Sequence, residues 1–161
     1  MADRTRGYAH RIDIRVDIDT VWRSLIEPAL LARWYTPATR VDAREGGSFW
    51  SRPDPDLSRE AHIDVFAPPR RLRLIYLPVP ELSAEEAVIV DDFLLDRDEL
   101  TARERTAGPV TVLRLLGSGI PESQNWDAMY LRLRGGWERA LRRLKATLEP
   151  SAAAAARSRQ L

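Results

Sequence analysis

The feature that most constrains this chain is one long amphipathic segment near its C-terminus, residues 123–149. Its apolar side chains recur at intervals of three and four, which predicts an α-helix with one wide apolar face. They are Trp126, Met129, Tyr130, Leu133, Trp137, Leu141, Leu144 and Leu148. Three large aromatic side chains on one face need a broad apolar surface to pack against. We therefore expect this helix to lie across a β-sheet, with a pocket between the two.

Composition narrows the class of protein. The chain has 161 residues, no cysteine and a net charge of +1. Disulfides, thiolate metal sites and a cysteine nucleophile are therefore excluded, and no strong field draws the protein to nucleic acid or to a membrane. No apolar run approaches the ~20 residues of a membrane span, and the first residues lack the apolar core of a signal peptide. We expect a cytoplasmic protein with one domain over residues 1–150 and a poorly ordered tail over residues 151–161.

Upstream of the helix, apolar and polar side chains alternate over several short stretches, which is the pattern of half-buried strands. The predicted strands cover residues 10–18, 39–43, 48–52, 59–66, 71–77, 87–95 and 110–116. No crossover helices separate the later strands, so the sheet should be antiparallel. The predicted fold class is α+β, a curved antiparallel sheet wrapped around the long C-terminal helix.

Two short helices should follow the first strand. Asp19 is the expected N-cap of the first helix, and its inward side chains are Val21, Trp22 and Leu25. Pro28 separates it from a second helix over residues 29–34. Further along, Glu45-Gly46-Gly47 predicts a hairpin turn, because glycine supplies the positive φ that tight turns need.

Several segments are harder to interpret. Residues 53–56 are predicted as a loop and residues 117–121 as a break that ends the sheet. Residues 96–109 fit either long strands or a helical turn, and we favour long strands. The helix contains Gly135-Gly136, which indicates close approach to the sheet or a bend that makes room for a ligand; we favour close approach.

Four sequence motifs carry a resemblance to a known family. They are IDIDTVWRSLIEPALLARWYTP, REGGSFW, VFAPPRRLRLIY and VLRLLGSGIPESQNWDAMYLRLRGGWERALRRLKATLE. In this order they resemble the START-like (SRPBCC, helix-grip, Bet v-like) superfamily, in the branch named after activators of the Hsp-90 ATPase, over residues 8–149. The resemblance implies the helix-grip fold. It implies little about function, because the fold hosts lipid carriers, hormone receptors, aromatase/cyclases and chaperone-binding domains.

The expected ligand-binding residues are the large apolar side chains that should line the cavity between sheet and helix. They are Trp34, Phe49, Phe66, Tyr76, Trp126, Met129, Tyr130, Leu133 and Trp137. Among them, Trp126 and Tyr130 lead, because in similar proteins that end of the helix lies near the pocket mouth. For each single residue, simple core packing is the competing interpretation.

Charged residues give weaker signals. Neighbours in a strand point to opposite faces, so one of Asp91 and Asp92 must face the apolar side and needs a partner there, for which Arg73 is a candidate. His62 shares a strand face with Glu60 and Asp64, which fits a sparse metal site but fits a solvated outer face better. The basic face of the last helix, which holds Arg132, Arg139, Arg142, Arg143 and Lys145, is expected to be solvated. No catalytic or metal-binding residue is assigned, and no cofactor is expected.

Three functions follow from this architecture. The favoured one is a non-catalytic carrier or sensor that binds a small apolar or amphipathic molecule. The second is a protein-interaction or stress-response module of the Hsp-90 ATPase activator kind, which would have a protein partner. The third is a polyketide cyclase/aromatase-like enzyme, for which Asp91 or Asp92 with Tyr76 or Tyr130 would supply acid and base. A homodimer stays open under each of them, and no nucleic acid or membrane partner is expected.

Overall fold

The computed structural model describes residues 4–78, 87–98 and 108–149. Its strands are β1 (Thr5–Ile14), β2 (Thr39–Val41), β3 (Ser48–Asp54), β4 (Leu57–Ala67), β5 (Arg71–Tyr76), β6 (Val90–Arg97) and β7 (Thr111–Pro121). Its helices are α1 (Ile18–Ile26), α2 (Pro28–Trp34) and α3 (Asp127–Leu148), and a 3-10 turn (Gln124–Trp126) leads into α3. None of the helices in this part of the chain is both long and apolar enough to cross a membrane.

The seven strands form one antiparallel sheet in the order β1-β7-β6-β5-β4-β3-β2. The sheet curves around α3, which confirms the predicted α+β helix-grip fold. The inward face of α3 buries Leu133, Trp137, Ala140, Leu141 and Leu144, so the apolar stripe in the sequence is the contact surface with the sheet. Trp126, in the turn before α3, is buried in the same core.

The first helix begins earlier than the sequence pattern predicts. Its N-cap is Asp17, whose carboxylate accepts a 3.1 Å hydrogen bond from the Thr20 backbone N–H; Asp19 lies in the first turn instead. Strand β1 accordingly ends at Ile14, because the alternation continues past the strand into a helix that buries Ile18. The inward positions Val21, Trp22 and Leu25 are confirmed.

Strands β3, β4 and β7 are longer than predicted. Strands β3 and β4 enclose only Pro55 and Asp56, so the expected loop is a two-residue turn. Strand β7 runs through the expected break and ends at Pro121, so that prediction is wrong. The predicted turn at Gly46-Gly47 is confirmed, and Gly46 has a φ of +79°. Most of the segment 96–109 and the whole tail 151–161 lie outside the described residues.

Gly117 explains why glycine is found inside β7. It is paired with Tyr8 of β1 on one side and with Asp91 of β6 on the other. A Cβ at this position would lie 2.3 Å from the Tyr8 ring. The missing side chain therefore leaves room for the tyrosine ring to cross β7 towards Asp91.

The glycine pair in α3 does not mark a close approach to the sheet, so the favoured prediction is wrong. A Cβ on Gly136 would meet no atom within 4 Å, and one on Gly135 would meet only the end of the Arg139 side chain. Gly136 therefore has open space in front of it.

These two glycines give a test of the fold. We expect Gly117→Ala to lower the free energy of unfolding by about 1–3 kcal/mol, because the methyl group displaces the Tyr8 ring. Gly136→Ala is the matched change, and it should raise stability by up to about 1 kcal/mol, since alanine favours a helix and meets no atom there. Urea unfolding of both variants measures the difference. Equal effects of the two substitutions would contradict the packing described for Gly117.

Candidate functional site

Asp91 is the most unusual side chain in the molecule. It lies on the inward face of β6 with Phe93 and Leu95, and none of its surface is exposed. Asp92 points to the other face and binds the guanidinium of Arg71 at 2.9 Å. The choice between the two neighbouring aspartates is thereby resolved, with Asp91 inside. A buried carboxylate is costly unless several donors surround it.

Three elements supply donors to Asp91. The hydroxyl of Tyr8, on β1, donates to Oδ1 at 2.5 Å. The indole Nε1 of Trp137, on α3, donates to Oδ2 at 3.2 Å. The guanidinium of Arg59, on β4, lies 3.5 Å from the same oxygen. Asp91, on β6, therefore links two strands that lie on either side of β6 in the sheet, β1 and β4, to the long helix α3.

Arg59 is the inward partner that the sequence analysis missed. It is 8% exposed, and its guanidinium carbon lies 3.7 Å above the centre of the Tyr76 ring. The signal was present, because alternation along β4 places Arg59 on the same face as Ala61 and Ile63. The earlier candidate, Arg73, was wrong: it lies 3.6 Å from the half-buried carboxylate of Asp64.

An aromatic frame holds this pair in place. The ring of Tyr35 stacks on Trp137 with their centres 5.0 Å apart, and Phe93 contacts the same indole edge to face. The Tyr35 hydroxyl lies 3.0 Å from Ser51 Oγ. The indole that binds Asp91 is thus fixed on both of its sides.

Burial shifts the ionisation of the tyrosines around the pair. Burial, reinforced by the negative charge of Asp91, raises the pKa of Tyr8 far above its ordinary value. The pKa of Tyr35 and that of Tyr76 are also raised, in both cases chiefly by burial and partly offset by the nearby positive charge of Arg59. Burial lowers the pKa of Arg59, but its interactions with Tyr76, Asp91 and the other tyrosines raise it overall. The three tyrosine hydroxyls around the Arg59–Asp91 pair therefore stay neutral at physiological pH.

Two cavities share Leu57, Arg59 and Leu133 as lining residues. The first, of about 140 Å³, is lined in addition by Tyr35, Pro53, Asp54, Arg132, Gly136, Trp137, Arg139, Ala140 and Arg143. The second, of about 240 Å³, is lined in addition by Trp50, Ser58, Glu60, Tyr76, Leu77, Pro78, Ile89 and Met129. The first is rich in arginine and the second is mainly apolar. Asp91 and Tyr8 line neither of them.

Comparison with known proteins identifies the family. The family model for Activator of Hsp90 ATPase homolog 1-like protein matches residues 15–149. The chain belongs to this family. No curated protein sequence is significantly similar to the chain.

Solved structures share the fold of this Hsp90-activator-like chain. Protein MLL2253 of Mesorhizobium loti is 19% identical and aligns with a TM-score of 0.70, over 87% of this chain and 94% of its own. The Aha1 dimer of Colwellia psychrerythraea is 17% identical with a TM-score of 0.68, over 89% and 96%. PFC0360w, an HSP90 activator of Plasmodium falciparum, is 15% identical with a TM-score of 0.66, over 88% and 95%. At these identities the similarity shows the fold alone.

Four of the nine residues predicted to line a cavity do so. Tyr76 and Met129 line the second cavity, Trp137 lines the first and Leu133 lines both. Whether any of these four binds a ligand stays a prediction.

The other five predicted residues line neither cavity: Trp34, Phe49, Phe66, Trp126 and Tyr130. Trp34 Nε1 donates to the Ser24 carbonyl at 2.9 Å, and the Tyr130 hydroxyl donates to the Gly7 carbonyl at 3.0 Å. Phe66 packs edge to face against Trp22. Phe49 and Trp126 are buried in the core.

The other polar residues singled out in the sequence lie on β4 and α3. His62 and Glu60 are exposed and Asp64 is half-buried, on the outer face of β4. Within residues 4–78, 87–98 and 108–149, no group of three or more His, Cys, Asp or Glu side chains is arranged to hold a metal ion. On α3, Arg139, Arg142 and Arg143 are exposed as expected, whereas Arg132 and Lys145 are half-buried. Arg132, Arg139 and Arg143 also line the first cavity.

The Arg59–Asp91 pair gives a second prediction. We expect Arg59→Met and Asp91→Asn each to lower the free energy of unfolding by about 3–5 kcal/mol, because each leaves a buried charge without its partner. The double variant should lose much less than the two losses combined, since it buries no charge. A urea-unfolding cycle measures this coupling. The control cycle is Arg71→Met with Asp92→Asn, a more exposed pair whose coupling should stay below about 1 kcal/mol; additive losses at Arg59 and Asp91 would contradict the proposed pairing.

The raised tyrosine pKa values predict loss of stability in alkali. A pKa above its unfolded value means that the folded protein holds the proton more tightly, so the stabilisation is fully present below about pH 10 and falls as the pH rises further. Each of the three tyrosines should contribute about 1.4 kcal/mol per pH unit to this fall. Ultraviolet absorbance of tyrosinate, recorded with urea midpoints, measures both events. Tyr8→Phe removes one of these hydroxyls and should make the loss of stability with rising pH less steep. If Tyr8, Tyr35 and Tyr76 ionised at their ordinary pKa in the folded protein, the burial described here would be wrong.

Proposed function

We propose that this chain binds a small amphipathic molecule between the sheet and α3, as a non-catalytic carrier or sensor. The observation that carries the proposal is the position of Arg59. Arg59 is buried in the core and is also a lining residue of both cavities. A fixed positive charge at the junction of two partly apolar spaces suits a ligand with an apolar body and a polar group.

The apolar part of the ligand gains from burial. The second cavity has Trp50, Tyr76, Leu77, Ile89 and Met129 in its lining. Removing a ligand's apolar surface from water there contributes about 25 cal/mol for each Å². Met129 adapts its shape easily, which would let the cavity accept related molecules.

The polar part of the ligand would meet a charge that is already in place. Asp91, the Tyr76 ring and the surrounding hydroxyls hold Arg59 in one orientation. An arginine that is ordered before binding loses little side-chain entropy when it binds. Selectivity for a polar group therefore follows from the same contacts that stabilise the fold.

The geometry favours binding over catalysis. Asp91 is surrounded by donors and lines neither cavity, and Asp92 faces the other side of the sheet. The Tyr130 hydroxyl is bound to a backbone carbonyl. Of the acid–base candidates for a cyclase, only Tyr76 lines a cavity, and burial raises its pKa. We therefore propose no reaction, and we further propose a cytoplasmic protein whose single domain covers residues 1–150.

A protein partner is the second candidate function. It is supported by membership of a family described as activators of the Hsp90 ATPase and by the similarity to an HSP90 activator of Plasmodium falciparum. Leu131, 63% exposed on the outer face of α3, is an apolar side chain available to such a partner. The two functions are compatible, because Leu131 lines neither cavity.

A cavity-filling variant tests the binding proposal. Leu133 lines both cavities, so Leu133→Trp should fill them, at a stability cost of about 1–3 kcal/mol. We expect the wild-type protein, purified from its own host, to release a bound small molecule in native mass spectrometry and to bind the amphipathic dye 8-anilinonaphthalene-1-sulfonate. Leu133→Trp should do neither, while circular dichroism shows it folded.

Leu131→Trp is the matched control, since it adds the same side chain two residues away on the exposed face. It should keep both the bound molecule and the dye. An empty wild-type protein, together with unchanged dye binding by Leu133→Trp, would defeat the carrier or sensor proposal. Stimulation of the ATPase activity of the host Hsp90, lost in Leu131→Glu, would then establish the protein-interaction function.

A further inference from the structure

The face of α3 that lines the first cavity carries an unbalanced positive charge. Arg132, Arg139 and Arg143 lie along it, and Arg59 faces them from β4. Asp54 is the one carboxylate among the residues that line this cavity. Arg132 already binds Asp54 at 3.0 Å and Asp56 at 2.6 Å. Arg59 is paired with Asp91 behind the cavity. Arg139 and Arg143 therefore add to the oriented guanidinium of Arg59 two charges that no carboxylate lining this cavity balances.

These two arginines are four residues apart, a spacing at which like charges destabilise a helix. Elsewhere on α3 the same spacing joins opposite charges, in Arg142–Glu138 and Lys145–Glu149. In the part of the chain that the structure describes, neither Arg139 nor Arg143 forms an ion pair with a carboxylate. Arg143 donates through Nε to the Trp34 carbonyl at 2.9 Å, which orders its side chain beside the cavity.

Gly136 leaves space between these arginines and the cavity wall. It lines the first cavity, and a Cβ added to it would contact nothing within 4 Å. Trp137 and Leu133, on the same helix, and Tyr35 supply apolar walls. The volume of about 140 Å³ is close to the ~150 Å³ of a cavity that holds benzene. The space suits one ring or a short aliphatic chain.

We propose that the ligand is a small organic acid whose anionic group binds Arg139 and Arg143 in the first cavity, while its ring or chain packs against Trp137. This inference rests on the proposed binding function and specifies its ligand class. Guanidinium groups bind carboxylate and phosphate oxygens through paired hydrogen bonds, and they keep their charge at any physiological pH. An anion there would also relieve the repulsion between the two arginines.

The experiment compares two probes of nearly the same shape, phenylacetate and the neutral phenylacetamide. Binding is followed by nuclear magnetic resonance at the indole N–H of Trp137, which is assigned from the Trp137→Phe variant. We expect phenylacetate to shift this signal and to bind about tenfold more tightly than phenylacetamide. Added salt should weaken the binding of phenylacetate but not that of phenylacetamide, because salt screens the attraction between the anion and the arginines.

Charge-neutral variants locate the site. Arg139→Gln should lower the affinity for phenylacetate about three- to tenfold. The double variant with Arg139→Gln and Arg143→Gln should bind phenylacetate no more tightly than phenylacetamide. Arg142→Gln is the control, because it removes the same charge from a position of α3 that lines neither cavity and should change affinity less than about twofold.

Each other result overturns the inference. Equal binding of the two probes would mean an apolar site without anion selectivity, and the carrier or sensor function would stand. Failure of both probes to shift Trp137, while the dye still binds, would place the ligand in the second cavity alone. Equal losses in Arg139→Gln and Arg142→Gln would show only a general effect of net charge.

Discussion

The burial of one carboxylate organises this protein. Asp91 has no contact with water, so its charge must be balanced by groups that the fold brings to it. Those groups come from the edge strand β1, from β4 and from the covering helix α3. If one of these donors is displaced, the buried Asp91 carboxylate loses a hydrogen-bond partner. The position of α3 on the sheet is therefore fixed by a directional polar contact at Trp137, in addition to its apolar stripe.

The same constraint prepares the cavities. Asp91 binds the guanidinium of Arg59 and the indole N–H of Trp137. Both residues also line the first cavity, so their contacts with Asp91 fix the orientation of two cavity residues. A buried ion pair adds little stability compared with well-packed apolar residues of similar volume. Its presence is better explained by the oriented guanidinium that it leaves at the junction of the two cavities. Under the proposed function, stability and ligand recognition depend on the same few atoms.

Sequence patterns predicted the architecture well and the site only in part. The spacing of apolar residues in α3 and the alternation in the strands both depend on local geometry, which a single sequence contains. The sequence could not choose between Asp91 and Asp92, because alternation places apolar side chains on both faces of β6, with Phe93 and Leu95 on one and Val90 and Leu94 on the other. Arg59 was on the apolar face by simple alternation, but arginine is almost never fully buried, so its type concealed its position. Gly117 indicated a break because glycine usually ends strands, whereas here it makes room for a ring that comes from another strand.

Helix α3 contains features that lower its stability, and their position suggests that the first cavity is more than a packing defect. Two glycines in a helix interior cost about 1 kcal/mol each relative to alanine. Arg139 and Arg143, which form no ion pair with a carboxylate of the described residues, are four residues apart and repel each other. A helix that only covered the sheet would gain stability from alanine at Gly136, since nothing occupies the space in front of it. Gly136, Arg139 and Arg143 all line the first cavity, while Arg142, which does not line it, pairs with Glu138. Under the proposed function, a bound anion would fill the space in front of Gly136 and neutralise the two arginines.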